Sequence, residues 1–298
     1  MCGFYVGTND MEPDEINTFY LVAPPYKYHV LVKTMTVRGG PYTVGFRLGA
    51  TNKGCVSMTL NYYNDNTLHI SSIDYYATCS VSGRLARGEG TRHMINTSLT
   101  YMLDRYGPDI RHITVEDASK VPCKMDGGRV ENVMLMYSYI AVTGKTWYEN
   151  RFGAFVQNGA MRELYRKGIA RLNDDAFKES VSLPPTAPAE VHAMYEGART
   201  VAAFFSALQK AYGARFCFMT YGWIDVFIDD KVLINAVSSA TKWEIAAASV
   251  DRIEYAIEPA DGPPPSSIVQ SAGGRKAMID AYHASGGTIS HRYGRQVE

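Results

Sequence analysis

Arg87-Gly88-Glu89-Gly90-Thr91 lies between a stretch of strand character and a run with helical spacing, a placement that suits pyrophosphate binding. The first turn of a helix leaves its N–H groups unbonded and carries the positive end of the dipole, and glycines let a ligand approach the backbone closely. Arg84 and Arg87 flank Leu85 and could supply charge-assisted donors. Arg84, Arg87, Gly88, Glu89, Gly90 and Thr91 are therefore the candidate cofactor-binding residues. The two glycines also have a plain structural use, since a tight turn before a helix needs them as well.

Other chemistries find less support. Gly144-Lys145-Thr146 matches the end of a Walker loop, but Tyr139 stands where that loop needs glycine, and a helix precedes it instead of a strand. Gly144 reads better as a helix C-cap. The seven histidines form no HxxxH or HExxH pair, and none lies within four residues of a cysteine, so no zinc site or other metal is expected. There is no GxSxG elbow. Glu116, Asp117 and Ser119 suit capping of the segment that follows them, and Trp147 and Tyr148 suit a core or an interface.

The elements that must position the glycine loop follow from periodicity. YKYHVLVKTMTV, YTVGFRL, CVSMTLNYY and LHISSIDYY read as strands separated by RGGP, ATNKG and NDN, which predicts an antiparallel meander from Tyr26 to about Cys79. Met94, Leu99, Met102, Leu103 and Tyr106 share one face of a helix that stops at Gly107-Pro108. The strand IRHITV follows. Val130, Val133, Met134, Tyr137, Ile140 and Ala141 predict a second helix over 129–143. Beyond it, MRELYRKGIARL and the run from Val191 to Tyr212 are helical, while RFCFMTYGWIDVFI fits buried strand or buried helix equally.

From strand through Gly88 and Gly90 into helix, the sequence resembles the GNAT acyltransferase superfamily, whose pyrophosphate loop has the pattern Q/R-x-x-G-x-G/A. Leu85 occupies the Gln/Arg position. The order helix 91–106, strand 110–116, helix 129–143 and TWYENRFGAF continues the resemblance over residues 26–158, without the two substrate-covering helices of that family. The resemblance implies an α/β (α+β) fold with a mixed, largely antiparallel sheet and flanking helices. It also implies acetyl-CoA as cofactor and transfer of its acyl group to an amine. In that mechanism Asp74 or Glu116 would take the amine proton and Tyr148 would protonate the leaving thiolate. The HITVEDAS strand, TGKTWYENRFGA and the helical second half are also similar to uncharacterised proteins of nucleocytoplasmic large DNA viruses, which implies a virion-associated, non-catalytic alternative.

Composition bounds these readings. The chain has 298 residues, with 30 Lys and Arg against 30 Asp and Glu, so it lacks the basic excess that binds nucleic acid. Hydrophobic residues at 46% support a buried core, and 21 tyrosines suit half-wet surfaces where protein partners or a second copy could dock. No run approaches the roughly 18 apolar residues of a membrane span. Five cysteines, widely spread and without a CxxC pair, are expected to be reduced thiols of a soluble intracellular protein. The expected division is a GNAT-like domain 1–158, a mainly helical domain 159–258, and a linker and tail 259–298.

Overall fold

Alternation of apolar and polar residues, interrupted by turn residues, builds the first part of the chain, and a computed structural model shows how. It describes residues 13–36, 42–49, 54–62, 65–86, 88–117, 119–238, 240–260 and 268–270. In chain order the strands are β1 (Pro13–Ala23), β2 (Tyr26–Thr36), β3 (Tyr42–Leu48), β4 (Val56–Asn61), β5 (Thr67–Ile73), β6 (His112–Glu116), β7 (Lys120–Lys124), β8 (Val130–Met134), β9 (Phe155–Val156), β10 (Lys242–Ile245), β11 (Tyr255–Pro259) and β12 (Ile268–Gln270). The helices are α1 (Glu89–Tyr106), α2 (Leu135–Thr143), α3 (Trp147–Phe152), α4 (Gly159–Arg171), α5 (Asp175–Ser180), α6 (Ala189–Glu196), α7 (Val201–Tyr212), α8 (Phe216–Thr220) and α9 (Ile224–Val226), the last running into a π-helical segment, Phe227–Leu233. The protein is thus a mixed α/β fold with mostly antiparallel sheet and a helical region.

Two compact units divide the chain. One takes residues up to Ile113 and from Val250 onward, and the other is Thr114–Ser249. This partition differs from divisions at 158 and 258: residue 158 caps α4 inside the second unit, and the cut at 258 falls within β11.

In the first unit the sheet order is β12-β11-β1-β2-β3-β4-β5, and every neighbouring pair is antiparallel. The meander from β2 to β5 is present. Its period of two buries Val30, Val32, Val44, Phe46, Val56, Met58, Leu60 and Ile70. Asp65 and Asn66, both with positive φ, lead the chain into β5. Phe46 and Phe19 each meet the Tyr101 ring of α1 at 5.4 Å, which seats that helix on the sheet. Its other side is covered too, because Ile253 N donates to Thr100 Oγ1 (3.2 Å) and Arg252 pairs with Asp104 (2.9 Å). Burial is therefore continuous from Met94 to Leu103, and Thr97 and Ser98 satisfy their hydroxyls by donating to backbone carbonyls four residues back. Arg111 N donates to Asn66 O (3.0 Å), so β6 starts beside the start of β5 and α1 is the crossover between them.

The second unit holds β6 from Thr114 onward with β10 and β9, the separate ribbon β7-β8 and the helical region. Here the expected helix over 129–143 is corrected. Val130–Met134 is a strand paired with Lys120–Lys124, and the helix starts only at Leu135. Gly127 and Gly128 adopt positive φ, so the chain can reverse there and the ladder outcompetes the helical spacing. The run from Val191 to Tyr212 is two helices, broken where Gly197 ends α6 and the Thr200 hydroxyl caps α7. RFCFMTYGWIDVFI is helical in short pieces, interrupted at Gly222.

Among the cysteines, the expectation of reduced thiols is overturned. Cys55 is bonded to Cys79 and Cys123 to Cys217, with Cα–Cα distances of 5.9 and 5.8 Å. These partners lie 24 and 94 residues apart, so no local spacing pattern marks them. The two bonds argue against a reducing compartment. No helix among the described residues is long and apolar enough to cross a membrane. Cys2, Arg87 and most of the tail expected at 259–298 lie outside the described residues.

Candidate functional site

The glycine turn does precede a helix. Gly88 is the N-cap of α1 with φ 81°, no side chain caps the first turn, and Arg92 N donates to Gly88 O (2.9 Å). Arg84 and Glu89 are exposed. Arg92 pairs with Glu89 at 3.6 Å and with Asp251.

What fills the turn is Leu85. Its side chain is 1% exposed, and a Cβ placed on Gly90 would stand 2.8 Å from Leu85 Cγ and 3.0 Å from its Cδ1. The space that Gly90 leaves by lacking a Cβ is thus taken by Leu85. The loop around it is held from within: Tyr75 OH donates to Leu85 O (2.7 Å), Leu85 N donates to Ala77 O (3.1 Å), and Ser80 Oγ donates to Lys27 O (3.1 Å). The Cys55–Cys79 bond clips the same loop to the start of β4.

This packing yields a test. Gly90→Ala is expected to cost about 1–3 kcal/mol despite alanine's better helix propensity, because the buried Leu85 cannot swing aside. Leu85→Ala in the same chain should recover part of that loss. Thermal melts of the four proteins in the cycle check it, and strictly additive losses would mean the two residues do not share the space.

His93, on the next turn of α1, is committed structurally. Its Nε2–H donates to the Pro24 carbonyl (3.1 Å), which leaves Nδ1 to accept from Tyr28 OH at 3.0 Å. Burial lowers the imidazole pKa, in keeping with a neutral ring, and burial raises that of the Tyr28 phenol.

The three candidate acid–base residues fall in both units. Asp74 is exposed in the first unit, and Glu116 is exposed at the end of β6 in the second. Tyr148 is 3% exposed on α3, held there by a capping box in which Thr146 and Glu149 satisfy each other. Burial, and then the charge of Asp117, push its phenol pKa up. The carboxyl beside Tyr148 is thus Asp117 and not Glu116.

Asp117 is fully buried. Its Oδ1 accepts from Ser119 N (3.4 Å), and its Oδ2 has no hydrogen-bond partner among the described residues. Burial raises its pKa to about 6, opposed by hydrogen bonds from Ser119. Nearby, Tyr165 OH of α4 donates to Glu149 Oε2 (2.6 Å), and the Tyr165 ring meets Trp243 edge-on at 5.3 Å. Sequence reading passed over Asp117 as a cap. The available signal was strand alternation, in which Ile113 and Val115 point inward, Glu116 outward and Asp117 inward again.

Fold and site together define a disulfide-bonded mixed α/β protein whose glycine turn and Tyr148 region are both packed with its own side chains. No family model matches the chain, and neither a curated protein nor a solved structure shows significant similarity to it.

Proposed function

We propose that this chain is a non-catalytic interaction protein, with an acetyltransferase-like order of elements in its first part, and that it serves as a structural component of an assembly such as a virion. The observation that carries the reading is Leu85, an apolar side chain buried against Gly90 in the space a Cβ there would take, so the glycine is accounted for by packing. Burial of Tyr148 and exposure of Asp74 and Glu116 support it further. The loop around Leu85 is pre-organised by the Cys55–Cys79 bond and its internal hydrogen bonds, yet it turns Tyr75, Tyr76 and Val81 to solvent. Rigid, exposed aromatics bind partners at low entropic cost.

Calorimetric titration with acetyl-CoA tests this reading. No heat is expected from the wild-type chain. Micromolar binding, about 8 kcal/mol, that Arg84→Glu abolishes would overturn it in favour of acyl-CoA binding. Arg84 is the residue to change because it is exposed. Gly90→Asp would drive its Cβ into Leu85 and report on packing instead.

A further inference from the structure

Asn96-Thr97-Ser98 is the one Asn-X-Ser/Thr sequon in the 298 residues, the pattern at which N-glycosylating cells attach a glycan to asparagine. In a secreted protein such a sequon belongs on a surface loop. Here it lies inside α1, where Asn96, Thr97 and Ser98 are 3%, 0% and 0% exposed. Arg92, Asn96 and Thr100 follow one another at four-residue spacing on one face of the helix, and both ends of that row are covered. Arg92 pairs with Asp251, and Thr100 Oγ1 accepts from Ile253 N (3.2 Å). Asn96 therefore sits under the segment 251–253, and its Oδ1 is closed off from solvent. A glycan on its amide nitrogen would have to displace that segment, together with the Arg252–Asp104 pair that holds it (2.9 Å).

The same fold seals its disulfides, since Cys55, Cys79 and Cys123 are all buried. Such a bond forms when one chain thiolate attacks the disulfide of an oxidant and a second chain thiolate displaces the mixed disulfide. For each bond the chain gives up two electrons and two protons, and the oxidant leaves as a dithiol. That attack needs access to sulfur, which the folded chain denies, so oxidation takes place while the chain is still open. In the open chain the Asn96 amide is within reach as well. Burial in the native state thus gives it no protection wherever folding and glycan transfer share a compartment.

We propose that the chain folds in a compartment that makes disulfides and attaches no N-glycans, where a thiol oxidase of the disulfide-exchange class supplies both bonds. The disulfides by themselves fit either a periplasm or a secretory lumen. The buried sequon separates the two, because the lumen of a glycosylating cell would modify Asn96 before α1 could pack. This inference goes beyond the reading of the chain as an interaction protein and holds whether or not it binds acetyl-CoA.

The test sends the full chain to a bacterial periplasm and, behind a cleavable signal, to the secretory lumen of a eukaryotic cell, with peptide mapping of both disulfides and of Asn96. The periplasmic chain is expected to carry both bonds and to resist protease. The lumenal chain is expected to carry a glycan at Asn96, to be protease-sensitive and to be lost from the medium. Ser98→Ala removes the sequon and one hydroxyl bond to Met94 O, and this variant should reach the medium folded, with both bonds. Wild type made in the lumen with glycan transfer blocked should do the same, which keeps the comparison if Ser98→Ala itself fails to fold. A lumenal wild type that is folded and doubly bonded, with or without a glycan, overturns the proposal. So does one that misfolds equally when glycan transfer is blocked, and so does a periplasmic chain that lacks either bond.

Discussion

The double variant Cys123→Ser with Cys217→Ser is expected to lose about 4–5 kcal/mol of stability in the second unit, the largest effect foreseen here, since the bond closes a loop of 94 residues. The cross-link removes conformations from the unfolded chain, and its contribution grows with loop length. It also anchors the β7-β8 ribbon, in which Cys123 and Val133 are the buried side chains. A two-stranded ribbon with so little burial is marginal without such a tether. The chain offers a selective readout, because its three tryptophans, Trp147, Trp223 and Trp243, all lie between Thr114 and Ser249. Urea unfolding followed by tryptophan fluorescence should show a markedly lower midpoint for the double variant. An unchanged midpoint would mean that the bond adds nothing to the folded unit.

Asp117→Asn is expected to stabilise the same unit near neutral pH by up to about 3 kcal/mol, the equivalent of a carboxyl pKa raised from 3.8 to about 6 by burial. The sign follows from proton binding. Between those two values the folded state holds the proton more firmly than the unfolded state does. Stability from this group is therefore fully present below about pH 4 and is lost as pH rises through 6. Tyr148 and Tyr165, the phenols beside it, stay neutral across that range because burial raises both. Thermal unfolding read by tryptophan fluorescence should show wild type less stable at pH 7.5 than at pH 4, with Asp117→Asn flattening the profile. A variant destabilised more at pH 7.5 than at pH 4 would mean that the ionised carboxylate makes a favourable bond, which contradicts the unpartnered Oδ2.

The meander shows how local information can suffice. Strands β2 to β5 and their turns are legible because each depends on alternation within a few residues and on Gly, Asn or Asp between runs. Helix α1 and the capping role of Gly144 are legible for the same reason. In contrast, β1 and β11 escape such reading. Their identity depends on a register of Phe19–Val22 against Ala256–Pro259, more than 200 residues away along the chain.

At Val130 to Met134 local and tertiary preferences conflict. Apolar spacing there fits a helix, and pairing with Lys120–Lys124 across a glycine turn prevails, because a short helix segment gains less from propensity than a strand gains from its ladder. The site divides in the same way. Glycines before a helix were plain in the sequence, but only packing could put Leu85 over Gly90, bury Tyr148 beside Asp117 rather than Glu116, and join cysteines 24 and 94 residues apart. Propensity and period act over a few residues, whereas occupancy of a space, solvation of a carboxyl and approach of two thiols depend on segments that meet only when the chain has folded.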